Sequence, residues 1–132
     1  MNELREKSVL VVDDDPGMLR ALTRVLAGQG MLVTGLPDPV AVLKQLADFG
    51  KRFDLLISDL RMPALSGRGV LGFASTAFPE LPVIIITAFG GPDVEAQALR
   101  LGAFAFLEKP VAAAELIEVV RRALARPPIR EV

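Results

Sequence analysis

Cysteine, histidine, tryptophan and tyrosine are all missing from this chain of 132 residues. Without cysteine there is no disulfide, no thiolate zinc site and no thiol nucleophile. Without histidine there is neither an imidazole base nor a nitrogen ligand for a metal. Any metal must therefore be held by oxygen, which points to a hard cation such as Mg²⁺ or Mn²⁺. Charge of one sign is also scarce. Fifteen Lys and Arg face sixteen Asp and Glu, for a net charge of −1, so nothing in the electrostatics argues for direct contact with nucleic acid. Long apolar runs are absent too. The uncharged stretch from Leu81 to Pro92 is too short to span a bilayer. Met1 to Lys7 is charged and lacks the apolar core of a signal peptide. The expectation is a soluble cytoplasmic protein with no membrane partner.

What is abundant is hydrophobic side chain, at 52% of residues, enough for one well-buried domain. The sequence predicts that domain over residues 8–126, with 1–7 an N-terminal tail. Residues 127–132, opened by Pro127-Pro128, read as a C-terminal tail or the start of a linker.

Apolar runs and helical stripes alternate along the chain. Ser8–Val12 reads as a buried strand. It ends in Asp13, Asp14 and Asp15, and Asp15-Pro16 supplies a cap and a first-turn proline for a helix carrying Met18, Leu19, Leu22, Val25 and Leu26. Met31–Leu36 is a weaker strand. Asp38-Pro39 opens a second helix with Val40, Leu43, Leu46 and Ala47 on its stripe, ended by Gly50. A third strand runs from Phe53 to Asp59. The third helix opens near Ser66-Gly67, with Val70, Leu71, Phe73 and Ala74 expected inward. Pro82–Thr87 is the strongest strand signal. Val94, Ala98, Leu99 and Leu101 mark a fourth helix closed by Gly102. Ala103–Leu107 is a fifth strand, and Leu116, Ile117, Val120 and Leu124 mark a last helix.

Strands alternating with helices predict an α/β fold with a parallel sheet covered on both faces. For five strands the flavodoxin-like order 2-1-3-4-5 is the natural doubly wound solution. In that order the first and third strands are neighbours, and ligands bind at the carboxyl ends of the strands. Asp13 and Asp14, Asp59, Thr87 and Lys109 each lie at or just past such an end. Singly, each has an ordinary explanation: a helix cap, a strand terminus, a solvated turn. The fold puts them in one place.

Clustered carboxylates repel; one like-charge pair at 4 Å costs on the order of 4 kcal/mol at an effective dielectric near 20. Mg²⁺ is the fitting counter-ion, with Asp14 a direct ligand and Asp13 acting through water. A carboxylate beside a divalent cation, a lysine and a hydroxyl is arranged to accept a phosphoryl group. Asp59 is the expected nucleophile, with Thr87 and Lys109 holding phosphoryl oxygens.

Several segments carry a resemblance. They are Val11-Val12-Asp13-Asp14-Asp15-Pro16, Asp59-Leu60-Arg61-Met62-Pro63 with Ser66-Gly67, Ile86-Thr87-Ala88, and Gly102-Ala103 through Phe106 to Lys109-Pro110. In this order and at these spacings the chain resembles the receiver domain of bacterial two-component response regulators from Ser8 to about Arg126. The resemblance implies that the Arg61 backbone carbonyl joins Asp13, Asp14 and Asp59 around the metal. It implies a cis Lys109–Pro110 peptide. It makes Thr87 and Phe106 a coupled switch for the face formed by helix four, strand five and helix five, where a homodimer could also form. Arg61 and Phe89 fall at positions that tune phosphoryl lifetime. The family often has Tyr where this chain has Phe106, and often an aromatic where it has Val111. The implied partner is a sensor histidine kinase or a histidine phosphotransfer protein, and the chain is a signalling phosphoacceptor and not an enzyme in the ordinary sense. Two alternatives stay open: a receiver-like interaction module that takes no phosphate, and a haloacid-dehalogenase-like phosphatase, which would place its nucleophile on the first strand.

Overall fold

The computed structural model of the chain describes residues 3–60 and 67–125, without the side chains of 67 and 68. Arg61, Met62, Pro63 and Ser66 therefore lie outside the described residues, as does the segment 126–132.

Five strands form one sheet: β1 Ser8–Val12, β2 Leu32–Leu36, β3 Leu55–Ser58, β4 Val83–Thr87 and β5 Ala105–Glu108. The order across it is β2-β1-β3-β4-β5 and every neighbouring pair is parallel. Helices α1 Pro16–Gly28, α2 Pro39–Phe49, α3 Gly67–Ala77, α4 Pro92–Arg100 and α5 Ala113–Ala125 return the chain between strands, with a short 3-10 turn at Gly50–Arg52. The architecture is the flavodoxin-like one expected from the alternation.

The central strands read as unbroken apolar runs because both of their faces are covered. Successive side chains point to opposite sides of the sheet. Val9, Val11, Leu55, Ile57, Ile84 and Ile86 pack on one side with Leu22 and Leu26 of α1 and Leu116 and Val120 of α5. Leu10, Val12, Leu56, Val83 and Ile85 pack on the other with Val42 and Leu46 of α2, Val70, Leu71 and Ala74 of α3, and Ala98 of α4. Burying a Leu or Ile side chain contributes roughly 1.5–3 kcal/mol, so these two layers are the main stabilising term of the domain.

Helix starts are encoded locally. The Asp15 side chain accepts from the amides of Gly17 and Met18, and Asp38 from that of Val40, each ahead of a proline in the first turn. At the far end of α4, Gly102 adopts a φ of +110°, and a Cβ there would collide with the Ser75 hydroxyl of α3.

Several expectations need correction. Leu4, assigned to a tail, is fully buried in the α1–α5 layer, and the Glu6 amide donates to the Gly30 carbonyl at 2.8 Å. Phe73 is 38% exposed, because on α3 it falls at the margin of the stripe set by Val70, Leu71 and Ala74, and its ring instead meets that of Phe78 edge-on. On α5 the buried stripe is Leu116, Val119, Val120 and Ala123, rotated from the expected one, with Ile117 and Leu124 half-buried. The fifth strand starts two residues later than expected and runs through Glu108. On α4, Leu99 is exposed, as is Leu101 just after it.

Candidate functional site

Because the strands are parallel, their carboxyl ends share one edge, and each sequence-predicted acid or base leaves the sheet there. Asp13 and Asp14 follow β1, Asp59 follows β3, Thr87 closes β4 and Lys109 follows β5. Asp13 and Asp59 are buried, while Asp14 is exposed. One carboxylate oxygen from each of Asp13, Asp14 and Asp59 lies within 4.8 Å of the other two.

The Lys109 ammonium bridges two of these acids. Its Nζ donates to Asp13 Oδ2 at 2.9 Å and to Asp59 Oδ2 at 2.8 Å. Sequence reading expected Lys109 at the site but missed its direct pairing with Asp13, since nothing local links residues 96 positions apart. Asp13 is held further by the Asp15 amide, which donates to its other oxygen at 2.9 Å. Burial raises the Asp13 carboxyl above its ordinary range, against the lowering pull of its hydrogen bonds with Lys109 and the Asp15 amide. For Lys109, burial favours the neutral amine, but hydrogen bonds to Asp59 and Asp13 together outweigh it and raise the ammonium above its ordinary range.

The backbone of Asp59 is gripped from two directions. Its amide donates to the Val12 carbonyl at 3.2 Å, and its own carbonyl accepts from the Ser58 hydroxyl at 2.9 Å. Ser58 was not singled out from the sequence; the available signal was a hydroxyl closing an otherwise apolar run. Thr87 is fully buried, and its Oγ1 accepts from the Phe89 amide at 3.2 Å. The Lys109 amide donates to the Thr87 carbonyl at 2.9 Å, tying the ends of β4 and β5 together. The Lys109–Pro110 peptide is cis.

The remaining candidates fall further out. Phe106 sits on β5 opposite Ile85, half-buried against the α4 side of the core. Phe89 is exposed just beyond Thr87. Arg61, the expected carbonyl ligand, lies outside the described residues.

Three carboxylates against one ammonium leave two negative charges to be met. The donors are all oxygen, which suits Mg²⁺ or Mn²⁺ better than a softer metal. The acidic group, the lysine and the buried threonine thus fit a hard divalent cation and an anionic group bound beside it. No described helix is long and apolar enough to cross a membrane.

Comparison with known proteins agrees with this geometry. The family model described as "Response regulator receiver domain" matches residues 9–121. The transcriptional regulator NtrC of Escherichia coli K12 is 40% identical over 116 residues, which is 88% of this chain and 24% of NtrC. The response regulator FleR of Pseudomonas aeruginosa is 38% identical over 114 residues, 86% of this chain and 24% of FleR. The chain thus spans about a quarter of the length of these curated relatives. A receiver domain structure from Clostridium thermocellum superposes with a TM-score of 0.84 at 30% identity, covering 89% of this chain and 94% of that one. CheY of Borrelia burgdorferi, solved with CheX, BeF3 and Mg, shares the fold with a TM-score of 0.87 at 23% identity, over 92% of each chain. With the match running from the second residue of β1 well into α5, this chain belongs to the receiver domains of two-component response regulators.

Proposed function

We propose that this receiver accepts a phosphoryl group on Asp59 from the phosphohistidine of a partner, either a sensor histidine kinase or a histidine phosphotransfer protein. The observation that carries the reading is the Lys109 ammonium held between Asp13 and Asp59, with Asp14 at the same cluster. The donor histidine lies outside this sequence, which has none.

An Asp59 carboxylate oxygen attacks phosphorus, a new O–P bond forms, and the P–N electron pair returns to the donor imidazole. Lys109 turns from the bare carboxylates towards a phosphoryl oxygen and offsets part of its charge. The Thr87 oxygen already accepts from the Phe89 amide, so its own proton is available to a second phosphoryl oxygen. Asp13 and Asp14, with Asp59 and the Arg61 carbonyl, are the residues that would hold Mg²⁺ or Mn²⁺. When bound, the cation neutralises charge on the transferring group.

The signal leaves through Thr87 and Phe106. As Thr87 turns towards the phosphoryl group it vacates space behind β4, and the half-buried Phe106 ring moves inward to fill it. The surface of α4, β5 and α5 changes shape, and the exposed Leu99 and Leu101 give it an apolar contact for a second copy. Phe89, two residues past Thr87, and Arg61, two residues past the acceptor in sequence, set how readily water reaches the acyl phosphate.

The test is intact mass after incubation with acetyl phosphate and Mg²⁺. The wild-type chain should gain one phosphoryl group and lose it in base, and Asp59→Asn should gain none. A group retained in Asp59→Asn would refute the assignment.

A further inference from the structure

We infer that Ser58 is a positioning residue for Asp59, acting through the backbone of the acceptor; the inference rests on the phosphoacceptor reading above. Ser58 is completely buried, in a strand whose other residues, Leu55, Leu56 and Ile57, are apolar. It pairs with Val12 on one side and Ile85 on the other. A hydroxyl in such surroundings costs stability unless it is hydrogen-bonded. An apolar side chain such as alanine would carry no such requirement.

The hydroxyl donates to the carbonyl of Asp59 at 2.9 Å. That carbonyl lies where β3 has ended and the ladder no longer continues. On its other side Asp59 is fixed by its amide, which donates to Val12 at 3.2 Å. One residue is thereby held at both of its backbone polar groups. These two bonds set the peptide planes on either side of the Asp59 Cα, and with them the direction in which its carboxylate leaves the sheet. The carboxylate must meet the incoming phosphorus in line, and a misplacement of about 1 Å can cost roughly a hundredfold in rate. Through that carbonyl Ser58 aims the residue that would take the phosphoryl group.

The experiment compares Ser58→Thr with Ser58→Val. The two side chains have nearly the same shape, and only threonine keeps the hydroxyl. Three quantities are measured: the rate of loading from acetyl phosphate at saturating Mg²⁺, the thermal unfolding midpoint, and the ¹³C resonance of the Asp59 carbonyl. Ser58→Val leaves the Asp59 carbonyl without that donor, so it is expected to unfold at the same or a somewhat lower temperature than Ser58→Thr and, at a temperature where both are fully folded, to load roughly ten- to a hundredfold more slowly. Its Asp59 carbonyl resonance should move upfield, as a lost hydrogen bond requires, while that of Ser58→Thr stays near the wild type. A merely structural hydroxyl would leave loading equal in the two variants at equal fold stability, and that result overturns the inference. If the added methyl groups prevent folding, Ser58→Ala fits without any clash and is read the same way against the wild type. A wild-type chain that takes no phosphoryl group at all removes the phosphoacceptor reading and this inference with it. A wild-type chain that loads normally beside an equally fast Ser58→Val removes this inference alone.

Discussion

Lys109 and Asp13, separated by 96 residues, meet at 2.9 Å across the end of the sheet, with the ammonium also 2.8 Å from Asp59. The pair is largely withdrawn from water: the Asp13 side chain is 2% exposed and that of Lys109 17%. Deleting the lysine leaves two carboxylates facing each other with no ammonium between them. Lys109→Ala is therefore expected to lose about 1–3 kcal/mol in chelator, and to recover most of it when Mg²⁺ is added. Thermal melts with EDTA and with Mg²⁺ check this. Asp59 should remain modifiable in that variant, while the shape change at α4, β5 and α5 is lost.

Asp14 differs from its neighbour in being exposed, so its charge adds repulsion to the cluster without a matching buried contact to lose. Asp14→Asn should leave the metal-free protein as stable as the wild type or more so, by about 0.5–1 kcal/mol. It should weaken Mg²⁺ binding by about tenfold or more. Titrating Mg²⁺ against the unfolding midpoint measures both effects together.

Thr87 and Phe106 should separate chemistry from output. Thr87→Ala keeps the acceptor and the acids, so Asp59 should still load, more slowly by roughly a hundredfold for one lost donor. The amide resonances of α4 and β5 should shift on loading in the wild type and stay close to their unloaded positions in Thr87→Ala. Equal shifts in the two proteins would contradict the assigned coupling.

Phe89 is more than half exposed beside the site, at 54%. In the proposed role it would cover the acyl phosphate and slow attack by water. Phe89→Ala should therefore release phosphate from loaded protein faster than the wild type, because water is less well excluded. An unchanged release rate would count against this role.

Leu56, fully buried in β3 between β1 and β4, tests the scaffold and not the chemistry. Leu56→Ala should cost about 2–5 kcal/mol in urea unfolding. The fraction that remains folded should still load at Asp59.

The sheet was legible because burial on both faces forces unbroken apolar runs, as in Val9–Val12 and Val83–Ile86, and because Asp15-Pro16 and Asp38-Pro39 announce helix starts. The acids and the lysine were legible for a related reason: a parallel sheet sends every strand end to one edge, so position along the chain translates into position in space. What stayed hidden depended on helix phase and long-range packing. Phe73 and Leu99 lie at the margins of their stripes, where a small rotation decides between core and solvent. Leu4 looked like tail because a single apolar residue in a charged stretch has no period. Ser58 was hidden because a hydroxyl at a strand end has many ordinary explanations, and only the Asp59 carbonyl distinguishes among them. Arg61, the carbonyl ligand implied by the resemblance, falls outside the described residues.

The parallel arrangement carries a consequence for quality control. Neither half of the chain holds a working acceptor site, since the β1 acids and the β5 lysine converge only after every intervening strand has been laid down in register. Closing so long a loop is entropically late in assembly. If Asp59 is the acceptor, a nascent or partly unravelled copy would be mute to its phosphodonor, and modification at residue 59 would double as a certificate that the polypeptide has finished folding.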